Sequence, residues 1–177
     1  MKLWLYADQD HKKHGYGRCV YVEPKGRIYE GHFVMNIRHG KGKCEYPNGD
    51  VYIGDFVDDK YNGDGKYLYQ EGDVFVGLYE NGRRNGYGEC TYKTGDVYKG
   101  NFADDKYSGH GQYTWADGAI YEGEYQNNQM HGRGKLVNPD GTIGHTGLWE
   151  NSTEVDGDSK ILRQSVAMSP LSAFTDV

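Results

Sequence analysis

The 177-residue sequence has no run of eighteen or more apolar residues, which excludes an apolar membrane-spanning helix. Its opening, Met1-Lys2-Leu3-Trp4-Leu5-Tyr6, holds too short an apolar stretch for a secretory leader, so a soluble intracellular protein is expected. Cysteine is scarce. Cys19, Cys44 and Cys90 are odd in number and form no Cys-x-x-Cys pair, which argues against a disulfide framework and a zinc site and suits a reducing compartment. With four Met, five Phe and an apolar fraction of only 36%, the chain has little from which to build a spherical core.

Glycine and tyrosine are abundant instead, at 27 and 17 residues, and aromatic side chains make up 14% of the chain. They recur on a ruler. Gly-x-aromatic steps begin at Gly31, Gly54, Gly77, Gly100 and Gly123, each 23 residues after the last. Gly-x-Gly pairs fall at 15/17, 40/42, 63/65, 86/88, 109/111 and 132/134, and turn glycines at 26, 49, 72, 95, 118 and 141. Only the ends are irregular, with two extra residues between Gly17 and Gly26, and Gly147 one place late.

One period reads as two strands and two turns. Val51-Tyr52-Ile53-Gly54-Asp55-Phe56 is short and β-rich, Asp58-Asp59-Lys60 is a turn, and Gly63 to Tyr69 forms the second strand before Gln70-Glu71-Gly72-Asp73. Alternation puts Tyr52, Gly54 and Phe56 on one face, and Gly63, Gly65, Tyr67 and Tyr69 on one face of the next strand. Rings from neighbouring strands are expected to lie over the glycines. The column Cys19, Cys44, Tyr67, Cys90, Tyr113, Leu136 makes every cysteine core-facing.

The order Tyr-x-Gly-x-Phe, then His/Asn-Gly-x-Gly-x-x-x-Tyr and a turn glycine, resembles the MORN (membrane occupation and recognition nexus) repeat family over residues 6–149. The resemblance implies an all-β chain, an elongated, twisted, single antiparallel sheet of tandem 23-residue MORN hairpins, often capped by a short C-terminal helix. It also implies scaffold roles in cytoskeletal, ciliary or junctional assemblies. The copies at the ends depart from the pattern, with Trp4 and Tyr6 at the start and a broken last hairpin after Gly141. A MORN-repeat domain is expected over residues 1–151 and a tail over 152–177. In that tail Ser159 to Met168 reads as a capping helix whose Ile161, Leu162 and Val166 meet Trp149.

Candidate chemistry is thin. His14, His39 and His131 occupy the slot that Asn62, Asn85 and Ser108 fill elsewhere, which suits a turn role better than a metal. No Gly-x-Gly opens a helix as a nucleotide loop must, and no catalytic set rises above the repeat background, so neither enzyme activity nor a cofactor is expected. Net charge is −6, but residues 1–46 carry nine Lys/Arg against five Asp/Glu, and residues 47–177 eleven against twenty-one. Nucleic acid does not fit that balance. The basic residues Lys12, Lys13, Lys25, Arg27, Arg38, Lys41 and Lys43 raise an alternative, a peripheral module binding anionic phosphoinositides in a membrane. The opposed end charges permit a head-to-tail homo-oligomer.

The favoured expectation is a non-catalytic scaffold binding a protein partner in a cytoskeletal assembly, with the axoneme of a cilium favoured by the resemblance. The residues singled out for partner contact are the apolar Val74, Val76 and Leu78, and the outward tyrosines Tyr16 and Tyr87.

Overall fold

The computed structural model describes residues 12–21 and 26–155. The chain is all-β over these residues and divides into two compact units, Met1–Gly82 and Arg83–Val177. The first unit holds β1 (Gly15–Val20), β2 (Ile28–Val34), β3 (Ile37–Glu45), β4 (Val51–Val57), β5 (Lys60–Leu68) and β6 (Val74–Glu80). Each pairs antiparallel with the next. The second holds β7 (Arg83–Thr91), β8 (Val97–Ala103), β9 (Lys106–Thr114), β10 (Ile120–Gln126), β11 (Gln129–Val137), β12 (Ile143–Glu150) and the short β13 (Thr153–Glu154), paired in the same way. Strands thus sit where the 23-residue ruler puts them.

The register explains the glycines. In the first unit Gly17, Gly31, Gly42, Gly54, Gly65 and Gly77 stand opposite one another, one per strand, in a line crossing β1 to β6. Gly88, Gly100, Gly111, Gly123, Gly134 and Gly147 form the same line across β7 to β12. On one side the pairs Gly31/Gly42, Gly54/Gly65, Gly100/Gly111 and Gly123/Gly134 are each roofed by a tyrosine. A Cβ added at Gly65 would lie 2.7 Å from the Tyr52 ring, and one at Gly111 would lie 2.5 Å from the Tyr98 hydroxyl. The roofing ring stands two residues before the first glycine on its own strand. Its hydroxyl then donates to a main-chain oxygen one residue beyond that glycine: Tyr52 to Asp55 at 3.0 Å and Tyr98 to Asn101 at 2.9 Å. This corrects the expectation in one respect, because the ring covers a glycine of its own strand as well as one of the neighbour.

The Gly-x-Gly pair splits into two jobs. Its second member lies under the ring, whereas its first adopts a left-handed conformation, with φ +94° at Gly63 and +64° at Gly109. That residue sits at the irregularity where the register shifts between Gly54 and Phe56 or between Gly100 and Phe102, a glycine bulge. Gly63 therefore does not share the ring face with Gly65; its side-chain direction points toward Asp55.

Two-residue turns close the hairpins. Asp58-Asp59, Asp104-Asp105 and Asn127-Asn128 all have positive φ, the backbone that short Asp and Asn side chains tolerate and that matches strand twist. The second turn residue also reaches the preceding hairpin. Asp59 N–H donates to the Arg38 carbonyl at 3.1 Å, and Arg38 N–H donates to the Asp59 carboxylate at 2.9 Å; Asn128 and Tyr107 repeat the exchange.

The core is the ring face. Tyr29, Phe33, Tyr52, Phe56, Tyr67, Phe75, Tyr98 and Tyr121 are fully enclosed, as are Cys44 and Cys90. Edge-to-face pairs join them, such as Tyr52 and Tyr79 at 5.4 Å. The hairpin after Gly141 is cut short among the described residues, since β12 pairs with the two-residue β13 only through Trp149–Glu154 and Glu150–Thr153. β11 and β12 pair from Gly132–Trp149 to Val137–Ile143, and a register shift near Leu136 absorbs the extra residue. Trp149 is enclosed at the end of the ring column, edge-on to Tyr121 at 5.2 Å. The helix expected over 159–168, with Ile161, Leu162 and Val166, lies outside the described residues. Among the described residues no helix is long and apolar enough to cross a membrane.

Candidate protein-interaction surface

On the ring face the polar chemistry is spent on holding the fold. Asp50 is buried and accepts from the Tyr67 hydroxyl at 2.9 Å and the Gln70 amide at 2.8 Å; Asp96 accepts from Tyr113 and Ala116 at 2.9 and 2.8 Å. The hydroxyls of Tyr46 and Tyr61 bond to each other, as do those of Tyr92 and Tyr107. Burial pushes the hydroxyls of Tyr67, Tyr98 and Tyr107 well above the ordinary phenol range. Among the described residues no group of three or more His, Cys, Asp or Glu side chains is placed to hold a metal ion.

The opposite face of the first unit carries a furrow of about 520 Å³. It follows the glycine line across the strands, with Gly42, Gly54, Gly65 and Gly77 as its floor. One wall is a ladder of residues in register, Glu30, Lys43, Ile53, Lys66 and Val76 on β2 to β6, and Arg18 continues that register on β1 beyond the furrow. Along the other side stand Tyr16, Lys41 and Asp64. Ile53 and Val76 are 44% and 49% exposed and form the apolar steps of this ladder.

Of the residues singled out from the sequence, Tyr16 and Val76 from the partner-contact set and Lys41 and Lys43 from the basic set are brought together along this furrow. The Tyr16 ring is half exposed, edge-on to His32 at 5.3 Å, and its hydroxyl donates to Glu30 at 3.1 Å, a bond that raises its pKa. Leu78 is exposed beside the furrow, opposite Asp64 in register, while Val74 is half-buried. Tyr87 belongs to the second unit, 60% exposed and opposite Asn101.

The basic set does not form one surface. Lys25 lies outside the described residues. Lys13 turns to the ring face, its ammonium 3.1 Å from Cys19 Sγ and 5.5 Å from the Tyr21 and Phe33 rings, and Arg27 lies 4.4 Å from the Tyr21 ring. Arg38 is buried over Phe56, with its Nε donating to Asp59 at 3.0 Å. Lys41 and Lys43 point the other way and pair with Asp55 at 2.7 Å and Glu45 at 2.6 Å. Lys12 is half-buried.

Two features escaped the sequence reading. Arg38 and Arg84 fill the same enclosed slot that Tyr61 and Tyr107 fill in alternate hairpins, the arginines over Phe56 and Phe102, the tyrosines stacked on Tyr52 and Tyr98 at 3.6 and 3.5 Å. The repeat therefore has a double period. Arg38/Arg84, Cys44/Cys90, Asp50/Asp96, Asp59/Asp105, Tyr61/Tyr107 and Tyr67/Tyr113 are each 46 residues apart. That spacing was present in the sequence as a signal.

Comparison with known protein families agrees with the repeat. The model of the family described as MORN repeat matches residues 9–23, 29–51, 52–74, 75–97, 98–120 and 121–143. No curated protein matches the chain. Among solved structures it is similar to the SAS-4 (dCPAP) TCP domain of Drosophila melanogaster, in complex with a proline-rich motif of Ana2 (dSTIL). There the identity is 15%, the TM-score 0.47, and 79% of this chain and 75% of that one are covered. The wild-type TCP10 domain of Danio rerio CPAP, in complex with a peptide of Danio rerio STIL, gives 15% identity and a TM-score of 0.22 over 71% and 76% of the two chains.

Proposed function

The chain belongs to the MORN repeat family, and from that premise we propose that it is a non-catalytic scaffold whose furrowed face binds a protein partner. The observation that carries this reading is the division of labour between the two faces. Rings, buried carboxylates and the enclosed arginines are engaged in the fold, whereas the furrow side exposes Tyr16, Ile53, Val76 and Leu78. Exposed apolar side chains grouped on a polar chain mark a contact surface. The setting we propose, a cytoskeletal assembly such as a ciliary axoneme, rests on family resemblance alone. The phosphoinositide alternative gains no support from the split basic set, since Lys13 and Arg38 lie on the ring face and Lys41 and Lys43 on the opposite one.

The test is proximity labelling in cells with the wild-type chain and the variant Ile53→Glu/Val76→Glu, whose substituted side chains stand in solvent. The same set of proteins should be labelled by the first and lost with the second while both remain folded. Equal labelling by both would remove this face as the binding surface.

A further inference from the structure

The wall of the furrow alternates in charge with the strands. The second strands of two successive hairpins contribute Lys43 and Lys66, and the strands beside them contribute Glu30, Ile53 and Val76. Neighbouring strands are about 4.8 Å apart, so Lys43 and Lys66, two strands apart, set positive charges about 9.6 Å apart along the furrow. Lys43 meets Glu45 at 2.6 Å, but both are nearly half exposed, and such a surface pair exchanges readily for another carboxylate.

A ligand lying in this furrow runs across the strands, so it cannot extend the sheet by main-chain pairing and must be read by its side chains. Repeat length then selects its conformation. A β-strand returns a side chain to the same face after about 6.7 Å, and two turns of α-helix advance about 10.8 Å. A polyproline II segment advances about 9.3 Å in one three-residue turn, the nearest match to two strands of this sheet. It is also left without internal hydrogen bonds and needs none from a floor of glycines. Tyr16 offers an exposed ring at one end of the furrow, and Ile53 and Val76 offer apolar steps between the charges. Such surfaces suit proline rings.

We propose that the furrow of the first unit binds a polyproline II segment of a partner protein that carries an acidic residue at every third position. This rests on the reading of the furrowed face as a protein-binding surface. Glutamates one turn apart meet Lys43 and Lys66, and the residues between them lie on Ile53 and Val76.

The probe is a labelled peptide of repeating Pro-Pro-Glu, compared by fluorescence anisotropy with Pro-Pro-Lys and Gly-Ser-Glu repeats of equal length. The full chain should bind Pro-Pro-Glu, bind Gly-Ser-Glu at least about tenfold more weakly because the flexible chain must be ordered, and not bind Pro-Pro-Lys. The variant Lys43→Glu/Lys66→Glu should lose the acidic peptide and gain the lysine one. Equal affinity for Pro-Pro-Glu and Gly-Ser-Glu, or binding of Pro-Pro-Glu that survives the charge reversal, overturns the proposal. If the chain rejects Pro-Pro-Glu while Ile53→Glu/Val76→Glu still abolishes partner labelling, this inference fails and the scaffold reading stands.

Discussion

The Tyr98 ring lies over Gly111, the glycine opposite Gly100 on the next strand, so closely that a methyl group there would come within 2.5 Å of its hydroxyl and 2.8 Å of its ring carbons. The ring cannot swing away, because Tyr107 stacks on it at 3.5 Å and its hydroxyl is held by Asn101. Gly111→Ala should therefore destabilise the fold by about 2–3 kcal/mol, the cost of overfilling an enclosed site. Gly118→Ala is the control: nothing lies within 4 Å, and only its φ of +91° opposes the methyl group, at about 1–2 kcal/mol. Urea denaturation of both variants checks the order, and an equal loss would mean that the ring does not hold its place.

The Arg84 and Asp105 pair predicts an asymmetric double-mutant cycle. Arg84 is enclosed, and its guanidinium donates to both the Asp105 carboxylate at 3.0 Å and the Asp105 carbonyl at 2.8 Å. Removing the carboxylate in Asp105→Gly leaves an enclosed cation short of its countercharge and should cost about 3 kcal/mol. In the hairpin before it, the same two slots hold Tyr61 and Gly82, joined by the Gly82 amide and the Tyr61 carbonyl at 2.9 Å. Adding Arg84→Tyr to Asp105→Gly should thus recover half or more of the loss. A double variant no better than the single one would show that the slots are not interchangeable.

These slots also show where sequence reasoning stops. The spacing of Gly31, Gly54, Gly77, Gly100 and Gly123 fixed strands, turns and the ring face, because every copy repeats the same local physics. Which glycine of a pair lies under a ring was not legible, since Gly63 and Gly65 are the same residue and only φ separates the bulge from the floor. Arg38 was read as surface charge because charged side chains are rarely enclosed, and its partner Asp59 stands 21 residues away. On the candidate surface Tyr16 and Val76 were legible as exceptions to the repeat, but Ile53 and Lys66 were not. Their contribution comes from register, which lines up residues from five strands in one wall.

Alkaline pH should unfold the protein. Burial raises the hydroxyls of Tyr29, Tyr52, Tyr98, Tyr107 and Tyr121 above the unfolded phenol value of about 10. A raised folded pKa means that the native state keeps protons the unfolded chain releases. The stability it supplies is complete below about pH 10 and falls as pH rises beyond it. Phenolate absorbance and far-ultraviolet dichroism, followed together in an alkaline titration, should show the main ionisation step coinciding with loss of the β signal. Ionisation of most tyrosines in a sheet that stays folded would contradict the buried ring columns.

Trp149 gives a prediction confined to one end. It is enclosed between the edges of Tyr121 at 5.2 Å and His145 at 5.1 Å, and it stands opposite Gly132 where β11 enters the last hairpin. Each hairpin in a tandem array draws its stability from its neighbours, so loss of a terminal ring frays the array from that end before it melts the rest. Trp149→Ala should cost about 3–5 kcal/mol if unfolding were a single transition. In an array the loss should instead appear as faster amide exchange in β11 and β12, with β8 and β9 protected as before. Uniform acceleration through β8 and β9 would show that the second unit unfolds as one body, and that Trp149 holds all of it.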